Sequence, residues 1–212
     1  MKIIFFGPPG SGKGTQSELI KKKMKIPQIS TGNILRQAIQ SKHKTGKKIS
    51  NCINQGILVD DSIIIHLIKK RIKKKDCESG FILDGFPRTL KQAIEMTKEK
   101  IIIDYFIEFY ISEKIIYDRI LGRRIHIPSG RTYHIKFNPP KKSERDDITN
   151  EKLTVREDDK KEVISKRIIE YKKNKNNIIE YYKKIPDTKY YKIQACQNQK
   201  NIYKKLKKIF MQ

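Results

Sequence analysis

Arginine is scarce in this 212-residue chain, where lysine carries most of the positive charge. The ten arginines are Arg36, Arg71, Arg88, Arg119, Arg123, Arg124, Arg131, Arg145, Arg156 and Arg167. A guanidinium is a planar fork of donors that holds a carboxylate or phosphate in one orientation, whereas an ammonium is a mobile point charge. The positions given to arginine are therefore candidates for phosphate or base contacts.

The stretch GPPGSGKGTQ (7–16) comes close to the phosphate-loop pattern G-x-x-x-x-G-K-[ST]. Gly7, Gly12 and Lys13 are in place, but Gly14 follows the lysine and the hydroxyl arrives at Thr15. Such glycines let backbone N–H groups converge on an anion, and the helix that follows adds its positive end. Lys13 brings a mobile charge to β- and γ-phosphates. In LDGFPRT (83–89), Asp84 ends an apolar run, where nucleotide-binding sheets place a carboxylate for Mg²⁺. Arg88 follows a Gly-Phe-Pro turn that fixes its direction. In STGNILR (30–36), Thr31 is expected to cap a helix whose first turn faces an anion, with Arg36 about one turn further on. Read singly, these last two stretches also suit an ordinary strand-to-turn transition and an ordinary capped helix.

The elements that must position these residues alternate. KIIFF (2–6) reads as a buried strand, followed by the loop 7–13 and a helix to about Lys23. IPQIST (26–31) is a second strand and precedes a helix from about Gly32 to Gln40. Residues 42–56 are polar and broken by glycine, with one short helical piece. From Asp60, Ile63, Ile64, Leu67, Ile68 and Ile72 repeat at helical spacing. Residues 80–85 and 103–111 read as strands, and 112–122 as a helix. Residues 123–159 change character, with Gly, Pro-Pro, Asn and short alternating runs such as RTYHIKF, and predict a small β-rich insertion. A long helix over about 159–183 would place Ile164, Ile168, Ile169, Ile178 and Ile179 on one face. The strand 189–195 and a closing helix, with Ile202, Leu206 and Ile209 inward, complete the chain. Strands alternating with helices predict an α/β fold with a parallel sheet, and the phosphate loop falls where such a fold puts it, after the first strand.

Composition sets the bounds. Apolar residues are 37% and charged residues 33%, enough for one sizeable core. No apolar stretch approaches membrane-spanning length, and the N-terminal run before Gly7 is too short for the apolar region of a signal peptide. Cys52, Cys77 and Cys196 lie far apart, so neither a disulfide framework nor a zinc ribbon is suggested, and a reducing cytoplasm fits. The net charge of +25 raises the possibility of a basic nucleic-acid-binding module. Lysine is nevertheless spread along the whole chain beside equally abundant isoleucine, as an AT-rich coding sequence would give, with no single stripe and no interleaved aromatics. No specific nucleic-acid partner is expected.

Taken in order, GPPGSGKGT, STGNILR, GILV (56–59), LDGFPRT, GRR (122–124), HIPSGRTYHIKFNPP (126–140) and VREDD (155–159) resemble the adenylate kinases of the bacterial long-lid type, among the nucleoside monophosphate kinases. The resemblance runs from Met1 to about residue 193. In that family the loop reads G-x-P-G-x-G-K-G-T, with a glycine between the lysine and the hydroxyl, so the Gly14–Thr15 order is the family form. The resemblance implies a P-loop core of residues 1–29, 60–121 and 160–212, a helical AMP-binding insertion at 30–59 and a lid at 122–159. It implies the reaction MgATP + AMP ⇌ 2 ADP, with ATP, AMP and ADP as ligands, Mg²⁺ carried by ATP, no membrane association and a monomeric chain.

By position, the resemblance assigns the ATP phosphates to Gly10, Ser11, Gly12, Lys13, Gly14 and Thr15. It brings Arg119, Arg123, Thr132 and Tyr133 to ATP, Arg119 stacking on adenine, with backbone near Gln197 at the adenine edge. AMP falls to Thr31, Arg36, Ile57, Leu58, Val59, Gly85, Phe86, Pro87, Arg88 and Gln92. Arg156 and Arg167 hold the phosphates in transfer. Lys13, Arg88, Arg123, Arg156 and Arg167 form the catalytic set, and Asp84 and Thr15 approach Mg²⁺ through waters. Thr31 and Gln92 favour AMP over UMP, CMP or GMP, the nearest alternative acceptors. Asn33 departs from the family's aspartate and removes a charge near the AMP phosphate.

His126, Ser129, Asp146 and Thr149 have the spacing of a two-knuckle zinc site. Some family members carry four cysteines there. None of the four here is a thiolate, the donor that tight structural zinc prefers, so a hydrogen-bonded network without zinc is expected.

Overall fold

The computed structural model describes residues 1–40 and 44–211. Five parallel strands form the central sheet: β1 (Lys2–Phe6), β2 (Gln28–Ser30), β3 (Phe81–Asp84), β4 (Tyr105–Tyr110) and β7 (Lys189–Gln194), in the order β2-β3-β1-β4-β7. The expected α/β class is borne out. KIIFF is apolar throughout because both faces of β1 are covered. Ile4 and Phe6 face one core with Leu83 and Phe106; Ile3 and Phe5 face the other with Ile82 and Phe109.

The helices α1 (Lys13–Met24) and α8 (Gln199–Phe210) belong to the second side, through Ile20, Ile202, Leu206 and Phe210. On the first side lie α2 (Thr31–Gln40), α3 (Lys44–Gln55), α4 (Asp61–Ile72), α5 (Leu90–Lys98) and the latter half of α7 (Lys161–Lys183). Helix α6 (Glu113–Leu121) packs on the start of α7 through Ile116, Ile120, Ile164 and Ile168. A small antiparallel hairpin, β5 (Arg123–Ile125) and β6 (Thr132–His134), is extended by bridges from Ile125 to Thr154 and Arg145 to Lys152. Residues 123–159 thus carry a small hairpin with added bridges, and RTYHIKF supplies only three strand residues.

Three expectations need correction. Residues 44–55 form a full helix of 12 residues rather than one short piece; Lys47, Lys48, Asn51, Asn54 and Gln55 are exposed while Ile49 is buried. Residues 41–43 of that stretch lie outside the described residues. Ile169 is 62% exposed, because it sits about 100° round the helix from the buried Ile168. Thr31 is the first residue of α2 rather than its cap, and its hydroxyl donates to the carbonyl of Gly85 at 3.0 Å.

All five parallel strands end at one edge of the sheet, and the segments that could bind phosphate follow them. The loop 7–12 follows β1, Thr31 follows β2, Gly85–Arg88 follow β3 and Gln197 follows β7. A parallel sheet binds its ligands at this edge because the connecting loops gather there with helix N-termini pointing inward.

Candidate active site

One cleft of about 1690 Å³ opens at that edge, more than a single small-molecule pocket needs. The loop after β1 forms one wall. Gly12 holds φ at +87°, a conformation that favours glycine, and the chain turns there into α1. Lys13 folds back over the loop, donating to the carbonyls of Gly7 and Pro8 at 2.8 and 2.7 Å and to Ser11 Oγ at 3.1 Å. Burial pushes its ammonium down to about 8; Asp84 pulls it up, and Arg88, Arg167 and Arg123 add to the fall. Asp84 closes β3 beside Gly14 and accepts from Gln28 Nε2 at 2.8 Å.

The opposite wall is built by α2, the turn after α3 and the loop after β3. Thr31, Arg36, Ile57, Leu58, Val59, Gly85, Pro87 and Arg88 all line the cleft. Arg88 Nε donates to the carbonyl of Gly85 at 2.8 Å and its Nη2 reaches Thr31 Oγ1 at 3.3 Å. Arg36 donates to Asn33 Oδ1 at 3.0 Å. A Cβ placed on Gly130 of the hairpin segment would stand 4.0 Å from Asn33 Nδ2, so hairpin and α2 meet across the mouth.

Arg123, Arg156 and Arg167 also line the cleft, with Arg123 and Arg167 acting on both Lys13 of one wall and Arg36 of the other, and Arg156 beside Arg123 and Arg36. Arg123 pairs in bidentate fashion with Asp159, and Arg167 donates to Asp158 Oδ2 at 2.8 Å. Asp158 and Asp159 are almost wholly buried. Arg156 Nε is buried without a hydrogen-bond partner among the described residues. Burial and neighbouring cations push Arg88 down to about 10 and Arg156 to about 9, both still charged at neutral pH. Lys13, Arg36, Arg88, Arg123, Arg156 and Arg167 lie close enough to repel one another, and Asp84, Asp158 and Asp159 are the carboxylates that act on them most directly. Such an excess of mutually repelling cations is relieved by a bound polyanion.

Arg119, Thr132, Tyr133 and Gln197 line the far end of the cleft, beside Gly10, Gly12, Gly14 and Thr15. Ser11, Phe86 and Gln92 do not reach the wall. Ser11 and Phe86 are buried, and the Gln92 amide is engaged with the Arg88 N–H and with Asp61 Oδ1, each at 2.7 Å. His134 lines the cleft with both ring nitrogens occupied. Its Nε2–H donates to the Asp118 carbonyl at 3.0 Å, and Nδ1 accepts from Lys136 N at 2.9 Å and Phe137 N at 3.1 Å. It is therefore not placed to act as a general base.

The adenylate kinase family model matches residues 5–186. The chain is 52% identical over 212 residues to adenylate kinase of Buchnera aphidicola subsp. Acyrthosiphon pisum, covering 99% of each protein. It is 50% identical over 210 residues to that of Blochmanniella pennsylvanica, covering 97% of each. It is 47% identical over 212 residues to that of Photorhabdus laumondii, covering 99% of each. This chain belongs to the adenylate kinase family. It is a phosphotransferase, and its parallel sheet with flanking helices is the fold of adenylate kinases.

Against the adenylate kinase pattern, sequence reading missed the acids that hold the arginines. Asp158 and Asp159 fix Arg167 and Arg123, and Asp61 fixes Gln92. The available signal was the run Glu157-Asp158-Asp159 directly after Arg156 in a chain where basic residues outnumber acids. His126 Nδ1 meets Ser129 Oγ at 2.7 Å, His126 Nε2 meets Thr149 Oγ1 at 3.3 Å, and Thr149 Oγ1 donates to Asp146 Oδ2 at 3.1 Å. Three further residues join them. Glu151 pairs with His126, Arg131 grips Asp146 at 2.8 and 2.6 Å, and Tyr133 donates to Asp146 at 2.9 Å. The Arg131 guanidinium holds the Asp146 carboxyl far below the usual carboxylate range.

Proposed function

We propose that the cleft brings MgATP and AMP together for direct in-line phosphoryl transfer, MgATP + AMP ⇌ 2 ADP. The observation that carries this reading is the convergence of Arg123, Arg156 and Arg167 between a phosphate loop on one wall and the Thr31–Arg36–Arg88 set on the other. AMP is largely dianionic at neutral pH, since a phosphate monoester has a second pKa of about 6. Its phosphate oxygen needs no base to attack. The difficulty is to bring two anions into contact, and cations of fixed direction answer it.

The backbone of Gly10–Thr15 and Lys13 hold the ATP phosphates, with Arg119 against adenine and Thr132, Tyr133 and Gln197 around the nucleoside. Thr31, Arg36, Ile57, Leu58, Val59, Gly85, Pro87 and Arg88 hold AMP. Ser11, Phe86 and Gln92 support those contacts from behind the wall, Gln92 by fixing the Arg88 backbone. Arg123, Arg156 and Arg167 span the transferring phosphoryl group.

Asp84 is a single carboxylate at a strand end beside Lys13 and Gly14. That fits Mg²⁺, which keeps waters and substrate phosphate oxygens as most of its ligands. When bound with ATP, the ion neutralises phosphate charge. The hydrogen bonds of the His126–Ser129–Asp146–Thr149 set support a zinc-free reading.

We assign residues 1–29, 60–121 and 160–212 to the core, 30–59 to the AMP insertion and 122–159 to a lid that closes the site against water. The chain acts as a monomer in the cytoplasm, supported by its three unpaired cysteines for the compartment. A coupled assay across AMP, GMP, CMP and UMP tests the reading. AMP should exceed the others by at least about 10²-fold in kcat/KM, as expected when a polar pocket must match a base edge. Comparable turnover of UMP or CMP would overturn it.

A further inference from the structure

We propose that the surface formed by the exposed lysines toward the C-terminal ends of α1 and α8, beyond the part of the cleft that holds nucleotide, docks the phosphate backbone of nucleic acid by charge and without regard to base sequence. In a parallel α/β fold every helix runs back from the ligand-binding edge, so the helices end together at the other edge. Helix α1 leads from the phosphate loop to the start of β2, and α8 begins beside it, where Gln16 Nε2 donates to the carbonyl of Gln199 at 3.0 Å. Phe210, at the end of α8, meets Tyr105, the first residue of β4. Both helices therefore point their C-termini at the same end.

Lysines that look scattered in the sequence are collected there. Lys23 and Lys25 close α1, while Lys21 and Lys22 of the same turn reach the rim of the cleft. Lys207 and Lys208 lie in the last turn of α8, and Lys204 and Lys205 in the turn before it. Lys23, Lys25 and these four lysines of α8 are exposed and have no carboxylate partner among the described residues. Helix α8 contains no acid, and the only acid of α1, Glu18, pairs with Lys21 at 3.5 Å. The negative ends of the helix dipoles tolerate these cations but leave their charge directed outward.

The partner class follows from what surrounds the charge. Stable attachment to a bilayer needs an apolar group in addition to a basic patch. The apolar face of α8, Ile202, Leu206 and Phe210, is buried in the core, and the exposed Met211 that follows it is a single apolar side chain rather than an inserting face. Tyr105 is flanked by Lys189 and Phe210 rather than presented as a stacking platform. Lysine point charges without aromatics suit the backbone of a duplex, not the bases of a single strand.

The test is binding of a short random-sequence RNA duplex by the whole chain, with saturating ADP to fill the cleft, across a salt series. The wild type should bind, with log K falling against log salt by about 0.9 per phosphate contacted. A variant with Lys→Gln at 23, 25, 204, 205, 207 and 208 should keep kinase activity, lose about 10²-fold or more in low-salt affinity and flatten the slope by several units. The α8 substitutions alone should give an intermediate loss. A charge-matched control with Lys→Gln at the exposed 47, 48, 114, 142, 166 and 173 should stay within a few-fold of wild type. Equal loss in both variants would assign binding to net charge rather than to this face. Displacement of the duplex by ADP would assign it to the cleft. Binding of phosphatidylserine vesicles without binding of duplex would assign the face to a membrane. Each of these three outcomes overturns the proposal.

Discussion

At the scale of single residues, the site depends on where charge is fixed. Arg88 is tied to the Gly85 carbonyl and Thr31 and is hemmed by Arg167 and Arg36, so its guanidinium is already oriented before an anion arrives. Arg88→Ala should lower kcat by about 10²-fold or more with the thermal midpoint unchanged, the scale of losing one transition-state charge contact. Near-normal turnover would remove Arg88 from the catalytic set. Lys13 gives a pH prediction. With its ammonium down to about 8 in the free cleft, it is half neutral near that pH. A bound phosphate favours the charged form and raises it again, so ATP binding must take up a proton as pH rises past that point. Affinity should then fall by up to about tenfold per pH unit. Calorimetry in buffers of different ionisation enthalpy should find uptake approaching one proton near about pH 9. Lys13→Arg should remove the lysine's share and leave the part that Arg156, pushed down to about 9, contributes near that pH.

At the scale of elements, the join between α6 and the hairpin decides how the ATP end of the cleft is assembled. Helix α6 carries Arg119, while β6 carries Thr132 and Tyr133. His134 links them by donating to Asp118 and accepting from two hairpin N–H groups. Gly122 lies beneath the ring, where an added Cβ would come within 2.3 Å of His134 Nε2. Its φ of −82° suits any residue, so only space forbids a side chain. Gly122→Ala should destabilise the chain by about 1–3 kcal/mol, the usual cost of overpacking. It should also raise KM for ATP several-fold while leaving KM for AMP unchanged. Denaturant midpoints and the two KM values check this, and equal changes in both KM values would sink the idea. Helix existence was legible from periodicity along most of the chain. Ile169 and the extent of α3 were not, because an isoleucine-rich run has apolar residues on several faces and only packing selects one.

For the whole molecule, the hairpin segment must hold its shape without a large core. The network around His126 and Asp146 supplies that through hydrogen bonds and the Arg131 clamp. After dialysis against a chelator, zinc should be well below stoichiometric and the thermal midpoint unchanged; a chelator-dependent midpoint would show a metal at that site. The amino-acid sequence by itself determined the α/β class, the phosphate loop and the arginine positions. Those features rest on local order: a strand, a glycine turn, a helix start and residue types with fixed donor geometry. It also determined the four network positions by their spacing. Tertiary structure alone decided which acids hold the arginines, that Gln92 serves Arg88 from behind the wall, and that Glu151, Arg131 and Tyr133 complete the network. It decided as well that lysines far apart in sequence share one end of the molecule. These are contacts between segments distant along the chain, set by how parallel strands and returning helices stack, and no local pattern encodes them.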